Sequence, residues 1–406
     1  MKLSGNNDRN KKNSKNPGKD LMSEDTQVMK KVSAENVSHK KTPQERAHID
    51  ALIENYQMKK RRRRIIALSI AVIIIAAVFI AWKIIVRPPT PIEPTPTPTA
   101  QTTPGVSANP SDNPVPTYTR KSGVYTFAVL GEDYEASLTD TMLVGTLDTI
   151  SGTLNIASLP RDTLVNVSRN YKKLNGLYSH NGFDIDRAKE ELKDILGFTV
   201  DSCVVVGIDA FEKIVDTIGG VWFDVPVNMD YDDPIQDFHV HLEAGYQHLN
   251  GADALGVVRF RQNNEGSPYG PGYLGADIDR IATQQAFMKA VVKQCLQIGN
   301  ATKVNEFAQI WKDYVKTDLS VGNMVWYGLE FLKLDSSSID FMTLPADYND
   351  YAFNMACCII KLDEWLEMIN TKLSPYEEEI TENVLNVFTR DEYGNLYATS
   401  GVTLGD

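Results

Sequence analysis

Cysteine is scarce in this sequence, and so are cations past residue 64; each shortage excludes a class of function. The 406 residues contain four cysteines, Cys203, Cys295, Cys357 and Cys358. None stands in a Cys-x-x-Cys or Cys/His pattern, which argues against a zinc-ribbon scaffold and a thioredoxin-type redox centre. Their even number permits disulfides, and buried free thiols are an equal alternative. Residues 65–406 carry 24 Lys+Arg against 45 Asp+Glu, a net of −21. A body this acidic is not a generic nucleic-acid binder, whose affinity comes from neutralising many phosphates, so no nucleic-acid partner is expected. Residues 1–58 have few aromatics, the composition of a tail that cannot bury enough apolar surface to fold. A short helix around Glu45–Met58 is the exception, with Ala47, Ile49, Leu52 and Tyr56 at heptad-like spacing. The first long apolar run is not expected to be a cleaved signal peptide: a long polar segment precedes it, and no small-residue cleavage pattern follows it.

What is present first is a charge boundary. Residues 1–64 hold 17 Lys+Arg against 8 Asp+Glu and end in Lys59-Lys60-Arg61-Arg62-Arg63-Arg64. Ile65 through Trp82 then contains no charge, and its one polar interruption is Ser69. Lys83 can snorkel, so the span extends to Val86, roughly 20 residues and enough to cross a hydrocarbon core. The cluster of cations is expected to stay in the cytoplasm. The sequence therefore predicts a single-pass protein of the cell membrane, with a basic, mostly disordered cytoplasmic tail (1–64), a transmembrane helix (65–86) and the bulk of the chain outside. The cations also suit contact with anionic lipid head groups. Residues 87–119 form a Pro/Thr-rich linker holding ten of the nineteen prolines, an extended spacer rising about 3.1 Å per residue where it is polyproline-like.

From Val124 onward strands and helices alternate. Tyr125–Leu130, Thr141–Leu147 and Leu154–Leu159 read as strands. Asp184–Leu196 reads as an amphipathic helix stopped by Gly197, with Ile185, Ala188, Leu192 and Ile195 on one face. Cys203–Ile208 and Val221–Val227 are further strands and Ala210–Ile218 a further helix. Later helices are expected at Ile278–Ile298, Val304–Val315, Gly322–Leu332 and Ile359–Asn370. The alternation predicts an α/β fold with a mixed central sheet, over residues 120–345, with 346–406 an extension of no assigned role.

Two acidic residues, Asp133 and Asp140, flank the junction of the first two strands, with Glu132 a competing choice. Paired carboxylates there suit Mg²⁺, which takes one or two protein carboxylates and fills its octahedron with waters and substrate phosphates. Arg161 follows a strand end and Pro160, whose fixed φ limits the local backbone. Arg259 and Arg261 lie two apart in what reads as a strand, hence on one face, where their repulsion favours a bound anion. Arg280 shares a helix face with Gln284 and with Asp277. Any one arginine alone is better explained by a surface salt bridge. Together, in an acidic body, they point to a phosphate or diphosphate. Val204-Val205-Val206, Ile208, Phe211 and Ile214 could line an apolar tunnel, although core packing explains them better.

Gly131-Glu132-Asp133, Thr139-Asp140-Thr141-Met142, Ser158-Leu159-Pro160-Arg161-Asp162, Lys173-Leu174-Asn175, Ile218-Gly219-Gly220-Val221, Leu249 to Leu255, Val258-Arg259-Phe260-Arg261 and Asp277-Ile278-Asp279-Arg280 with Gln284-Gln285 occur in that order. In this order they resemble the LytR-CpsA-Psr glycopolymer transferases of Gram-positive cell walls, strongly over about residues 122–292 and loosely to about 345. The resemblance implies an α/β/α sandwich and an Mg²⁺-dependent phosphotransferase. Its donor would be a polyprenyl-diphosphate-linked glycan of teichoic acid or capsular polysaccharide type, and its acceptor peptidoglycan. It further implies Asp133 and Asp140 as metal ligands, and Arg161, Lys173, Arg259, Arg261, Arg280 and Gln284 as phosphate-binding residues. Arg161, Asp277 and Arg280 would be catalytic. The sequence departs from the family at Leu138 and Thr283, where arginine is usual. Those losses keep open a catalytically weak polyprenyl-diphosphate-binding scaffold. Transcriptional attenuation is a third reading, against which the acidic outer body argues.

Overall fold

A computed structural model describes residues 42–94, 117–133, 138–235, 238–264, 273, 277–297 and 304–404. The tail before residue 42, most of the proline-rich linker and most of residues 262–275 lie outside the described residues. The chain divides into two units, Met1–Ile84 and Ile85–Asp406. In the first, the expected short helix and the apolar run form one continuous helix, α1 (Pro43–Ile85). Among the described residues no helix is long and apolar enough to cross a membrane. Most side chains between Ile65 and Trp82 fall outside that set.

The second unit is built from strands β1 (Val124–Asp133), β2 (Leu138–Asp148), β3 (Thr153–Ser158), β4 (Ser202–Gly207), β5 (Val221–Val225), β6 (Met229–Asp233), β7 (Phe238–Leu242), β8 (Gly245–Leu249), β9 (Val315–Thr317), β10 (Ile339–Thr343), β11 (Ala346–Ala352), β12 (Met355–Ile360), β13 (Phe388–Arg390) and β14 (Leu396–Ala398). Its helices include α2 (Ile185–Leu196), α3 (Ile208–Thr217), α4 (Gly251–Arg259), α5 (Asp277–Gln297), α6 (Val304–Tyr314), α7 (Val321–Phe331) and α8 (Leu362–Met368). A six-stranded sheet runs in the order β10-β3-β2-β1-β4-β9. It is mixed: β1–β4 and β10–β3 are parallel, and β1–β2, β2–β3 and β4–β9 antiparallel.

Alternation along the central strands sends side chains to two faces. Ala128, Leu130, Met142, Val144 and Ala157 enter one core with Leu192 and Ile195 of α2 and Trp365 of α8. Leu143, Leu147, Leu154 and Ile156 enter another with Tyr327 of α7 and Leu334. Helices therefore cover both faces of a mixed sheet, as the alternation had suggested. A separate cluster joins β5–β8, α4 and Phe287 of α5. Leu344, Ala346, Cys358, Ile360, Trp365, Tyr376 and Val387 belong to the first core, so the C-terminal segment helps to fill it.

Local signals explain the best-read element. Asp184 caps α2, its carboxylate accepting from Asp186 N and Arg187 N, and Gly197 ends it at φ 76°, where a side chain would be strained. Two readings need correction. Val258–Arg261 is not a strand: Asn250 caps α4, which runs through Arg259, and only Phe260 turns extended at ψ 132°. Ile359–Asn370 is not one helix, because Ile359 and Ile360 end strand β12 before α8, and a π-helical turn follows from Ile369. Three of the four cysteines, Cys203, Cys357 and Cys358, are buried, with Cys203 and Cys357 as free thiols, while the Cys295 side chain lies outside the described residues.

One half-buried carboxylate makes stability depend on pH. Burial pushes the Asp194 carboxyl from 3.8 up to about 6, although the Asn386 side-chain amide donates to it at 3.3 Å. Its place in the last turn of α2 is also unfavourable for a negative charge. A raised folded-state pKa means that the folded protein holds this proton more tightly, so the contribution is most favourable below pH 3.8 and is lost as pH rises through about 6. Asp194→Asn is accordingly expected to stabilise the protein by about 1–2 kcal/mol at pH 7.5 and not at pH 3.5. Denaturant midpoints at the two pH values measure this, and equal shifts at both would reject it.

Candidate active site

The site starts at an irregularity in the first hairpin. The β1–β2 register passes from Gly131↔Thr141 to Glu132↔Thr139, leaving Asp140 as the extra residue of a β-bulge. Bulges re-aim a side chain locally. Here the Asp140 carboxylate accepts from Arg161 Nη1 at 2.6 Å, with the two side chains 36% and 22% exposed. Arg161 is held in turn by the loop after β3. Thr163 N and Oγ1 donate to the Pro160 carbonyl at 3.1 and 2.6 Å, and Asn175 N donates to the Arg161 carbonyl at 3.0 Å. Asp162 then links the second cation: its carboxylate lies 3.6 Å from Arg161 Nε and 2.7 Å from Lys173 Nζ. Asp140, Arg161, Asp162 and Lys173 thus form a row of alternating charge, with both cations still partly open to solvent.

A small crevice between β2, β3, β10 and α5 is lined by Thr141, Ser158, Gln284 and Gln285, with Leu143, Ile156, Met288, Phe341 and Met342 as its apolar wall. Gln285 Nε2 donates to Met342 O at 3.0 Å and Thr343 Oγ1 at 2.6 Å, and Gln284 Nε2 to Val258 O at 2.9 Å. These amides tie α5 to β10 and to the last turn of α4. Arg259 lies there with its guanidinium 4.5 Å over the Phe238 ring, a cation–π contact. The sequence profile of the LytR_cpsA_psr family matches residues 97–373. The chain belongs to this family.

Relatives in the LytR_cpsA_psr family include the polyisoprenyl-teichoic acid–peptidoglycan teichoic acid transferase TagV of Bacillus subtilis strain 168. It is 26% identical over 222 residues, covering 51% of this chain and 54% of TagV. The regulatory protein MsrR of Staphylococcus aureus strain COL is 27% identical over 230 residues, covering 56% of this chain and 66% of MsrR. The chain thus spans between about half and two thirds of the length of these curated relatives. The crystal structure of B. subtilis TagV superposes with a TM-score of 0.51 at 23% identity, over 62% of this chain and 96% of that one. A LytR-Csp2A-Psr enzyme from Actinomyces oris gives a TM-score of 0.51 at 20% identity, over 64% of this chain and 94% of that one. These superpositions place the fold with the family's.

Within this LytR_cpsA_psr frame the predicted residues separate into groups. Asp140, Arg161 and Lys173 come together through Asp162, and Gln284 lines the separate crevice. Arg259 and Arg261 do not share a strand face, since one ends α4 and the other is exposed beyond it. Arg280 is buried at 5% exposure, one turn before Gln284 on α5. Asp133 ends β1 and Asp277 opens α5; their side chains lie outside the described residues. Thr283, one of the two departures from the family, is buried at 6% exposure, so the missing arginine is built into the packing of α5. Of the tunnel candidates, Val205 packs in the sheet's main cluster, Val204 with Ala210 and Val315, and Phe211 against Phe287. The crevice instead opens between β2, β3, β10 and α5.

Sequence reasoning missed Lys316 of β9 and gave Glu132 only second place. The Glu132 side chain is 2% exposed and its Oε2 lies 3.4 Å from Lys316 Nζ. Lys316 also sits over the rings of Tyr178 and Phe183, at 5.4 and 5.6 Å. A single lysine in a three-residue strand leaves no pattern to detect. Asp162 did stand in a quoted motif, and its adjacency to Arg161 was the available clue. The donor set at the hairpin is chemically suited to Mg²⁺: Asp140 offers hard carboxylate oxygens at a partly open position, with Asp133 at the end of the paired strand.

Proposed function

We propose that this chain is a membrane-anchored phosphotransferase that moves a glycopolymer of teichoic acid or capsular polysaccharide type from a polyprenyl-diphosphate carrier to peptidoglycan. The observation that carries the reading is the Asp140–Arg161–Asp162–Lys173 row, whose two cations stay partly open to solvent. Arg161 and Lys173 bind diphosphate oxygens, and Arg259, Arg261, Arg280 and Gln284 extend that contact. An acceptor sugar hydroxyl attacks the glycan-side phosphorus; a new O–P bond forms, the bond to the bridging oxygen breaks, and polyprenyl monophosphate leaves. Fixed cations favour this step because charge grows on the leaving phosphate. Asp277 receives the hydroxyl proton or orients Arg280. Mg²⁺, held by Asp133 and Asp140, would add neutralising charge at the phosphate oxygens.

The teichoic acid transfer for which TagV is named supports this choice of substrates. The uncharged run Ile65–Trp82 behind Lys59–Arg64 supports a single span with residues 1–64 in the cytoplasm and the catalytic body outside. Leu138 and buried Thr283 favour a second reading, a binder of polyprenyl diphosphate with weak turnover. Transfer from a synthetic polyprenyl-diphosphate sugar to a peptidoglycan acceptor tests both. The expected result is Mg²⁺-dependent product. Binding of the lipid diphosphate without product selects the second reading. Absence of product, with binding unchanged by Arg161→Ala and Arg259→Ala, rejects both.

A further inference from the structure

The β6–β7 hairpin carries a second group of potential ligands that plays no part in the reaction above. Its register pairs Asp230 with His241 and Asp232 with His239. All four side chains therefore stand on one face, which is exposed, while Val240 packs into a core on the other. His239 Nδ1 and His241 Nε2 both approach the same atom, Asp232 Oδ1, the first in a short contact and the second at 3.3 Å. The remaining ring nitrogen of His241, Nδ1, is 2.8 Å from Asp230 Oδ1. An Nδ1–H that donates to the Asp230 carboxylate leaves the Nε2 lone pair facing Asp232. This is the carboxylate–histidine arrangement that orients imidazoles toward metals.

We propose that His239, His241 and Asp232 bind one divalent transition-metal ion of the Zn²⁺ class, with Asp230 orienting His241. One ligand atom from each of the three lies within 4.8 Å of the others. Tetrahedral Zn²⁺ with bonds of about 2.0–2.1 Å needs separations of about 3.4 Å, within reach of small side-chain rotations, and water completes the shell. Two imidazoles select against Mg²⁺, which takes oxygen ligands, so this site and the Asp133/Asp140 pair would sort different metals. The ion would also brace the chain after Arg261. Asn263 Oδ1 accepts from Asp230 N at 2.8 Å, and Asn264 N donates to Asp230 O at 3.1 Å.

Isothermal titration of ZnCl₂ into the detergent-solubilised full chain, stripped with EDTA and held in excess Mg²⁺, tests the site. One Zn²⁺ per chain is expected. His239→Ala combined with His241→Ala should weaken binding by at least ~100-fold, Asp230→Asn by ~10-fold, and Asp140→Asn not at all. Circular dichroism checks that the variants fold, which the exposure of these side chains favours. As an independent readout, Co²⁺ should give the visible absorption of a tetrahedral site in the parent and lose it in Asp232→Asn. The assignment is overturned by the absence of saturable Zn²⁺ binding, by parental affinity in the double variant, or by loss of binding in Asp140→Asn. None of these outcomes depends on glycopolymer transfer.

Discussion

Arg161→Ala is expected to lower glycopolymer transfer by on the order of 10²–10³-fold while leaving the protein folded. The guanidinium is 22% exposed and anchored by Asp140 at 2.6 Å, so it serves the site more than the core. Its removal takes away a planar, permanently charged donor fixed before substrate arrives, and it frees Asp140 from its partner. Arg161→Lys separates the two contributions: charge returns, but the fork that grips two oxygens does not, and an intermediate rate should result. The loss should appear in kcat as well as kcat/KM if the contact strengthens as the leaving phosphate gains charge. A rate within about twofold of the parent would remove Arg161 from the reaction.

The largest expected loss of stability comes from Asp201, far from this chemistry. Its carboxylate is fully buried and pairs with Arg120, itself 8% exposed, in a short contact. The same carboxylate accepts from Thr126 N at 2.8 Å, Thr126 Oγ1 at 3.0 Å and Ile92 N at 2.7 Å. One side chain thus fastens residues around Ile92 and Arg120 to β1 and the approach to β4. Asp201→Ala should cost about 3–5 kcal/mol, because a buried guanidinium is left without its counter-charge. Asp201→Asn should be nearly as damaging, since it restores shape but not charge, and adding Arg120→Met should recover part of the loss. Denaturant midpoints of the full chain measure all three. A cost below about 1 kcal/mol for Asp201→Ala would show that the pair is dispensable.

The parts of the fold that were legible in the sequence are those settled by neighbours a few residues apart. Asp184 and Gly197 bound α2 because a cap and a left-handed residue act within one turn. Val258–Arg261 was misread because four alternating residues fit a strand as well as the end of a helix, and the Asn250 cap decided the matter from eight residues upstream. Ile359 and Ile360 look like the start of the following helix until β11 pairs with them. In the site, the Pro160-Arg161-Asp162 turn was visible as a motif. The bulge that presents Asp140 was not, because register depends on the partner strand. Lys316 was hidden for the same reason: β9 is placed by pairing with β4, and nothing local marks it. The hairpin ligands alternate as Asp-Tyr-Asp and His-Val-His, yet only the pairing of β6 with β7 sets them opposite each other.

The burial of the thiols has a consequence for where such a protein can be made and kept. Adjacent Cys357 and Cys358 enter different clusters on opposite faces of β12, and burial pushes the Cys203 thiol up to about 12. Thiolate is the form that attacks disulfides and reacts with oxidants, and at neutral pH Cys203 supplies almost none. These three cysteines therefore ask nothing of a disulfide-forming machinery during maturation. In a domain exposed to an oxidising exterior, burial would leave these three positions indifferent to its redox swings.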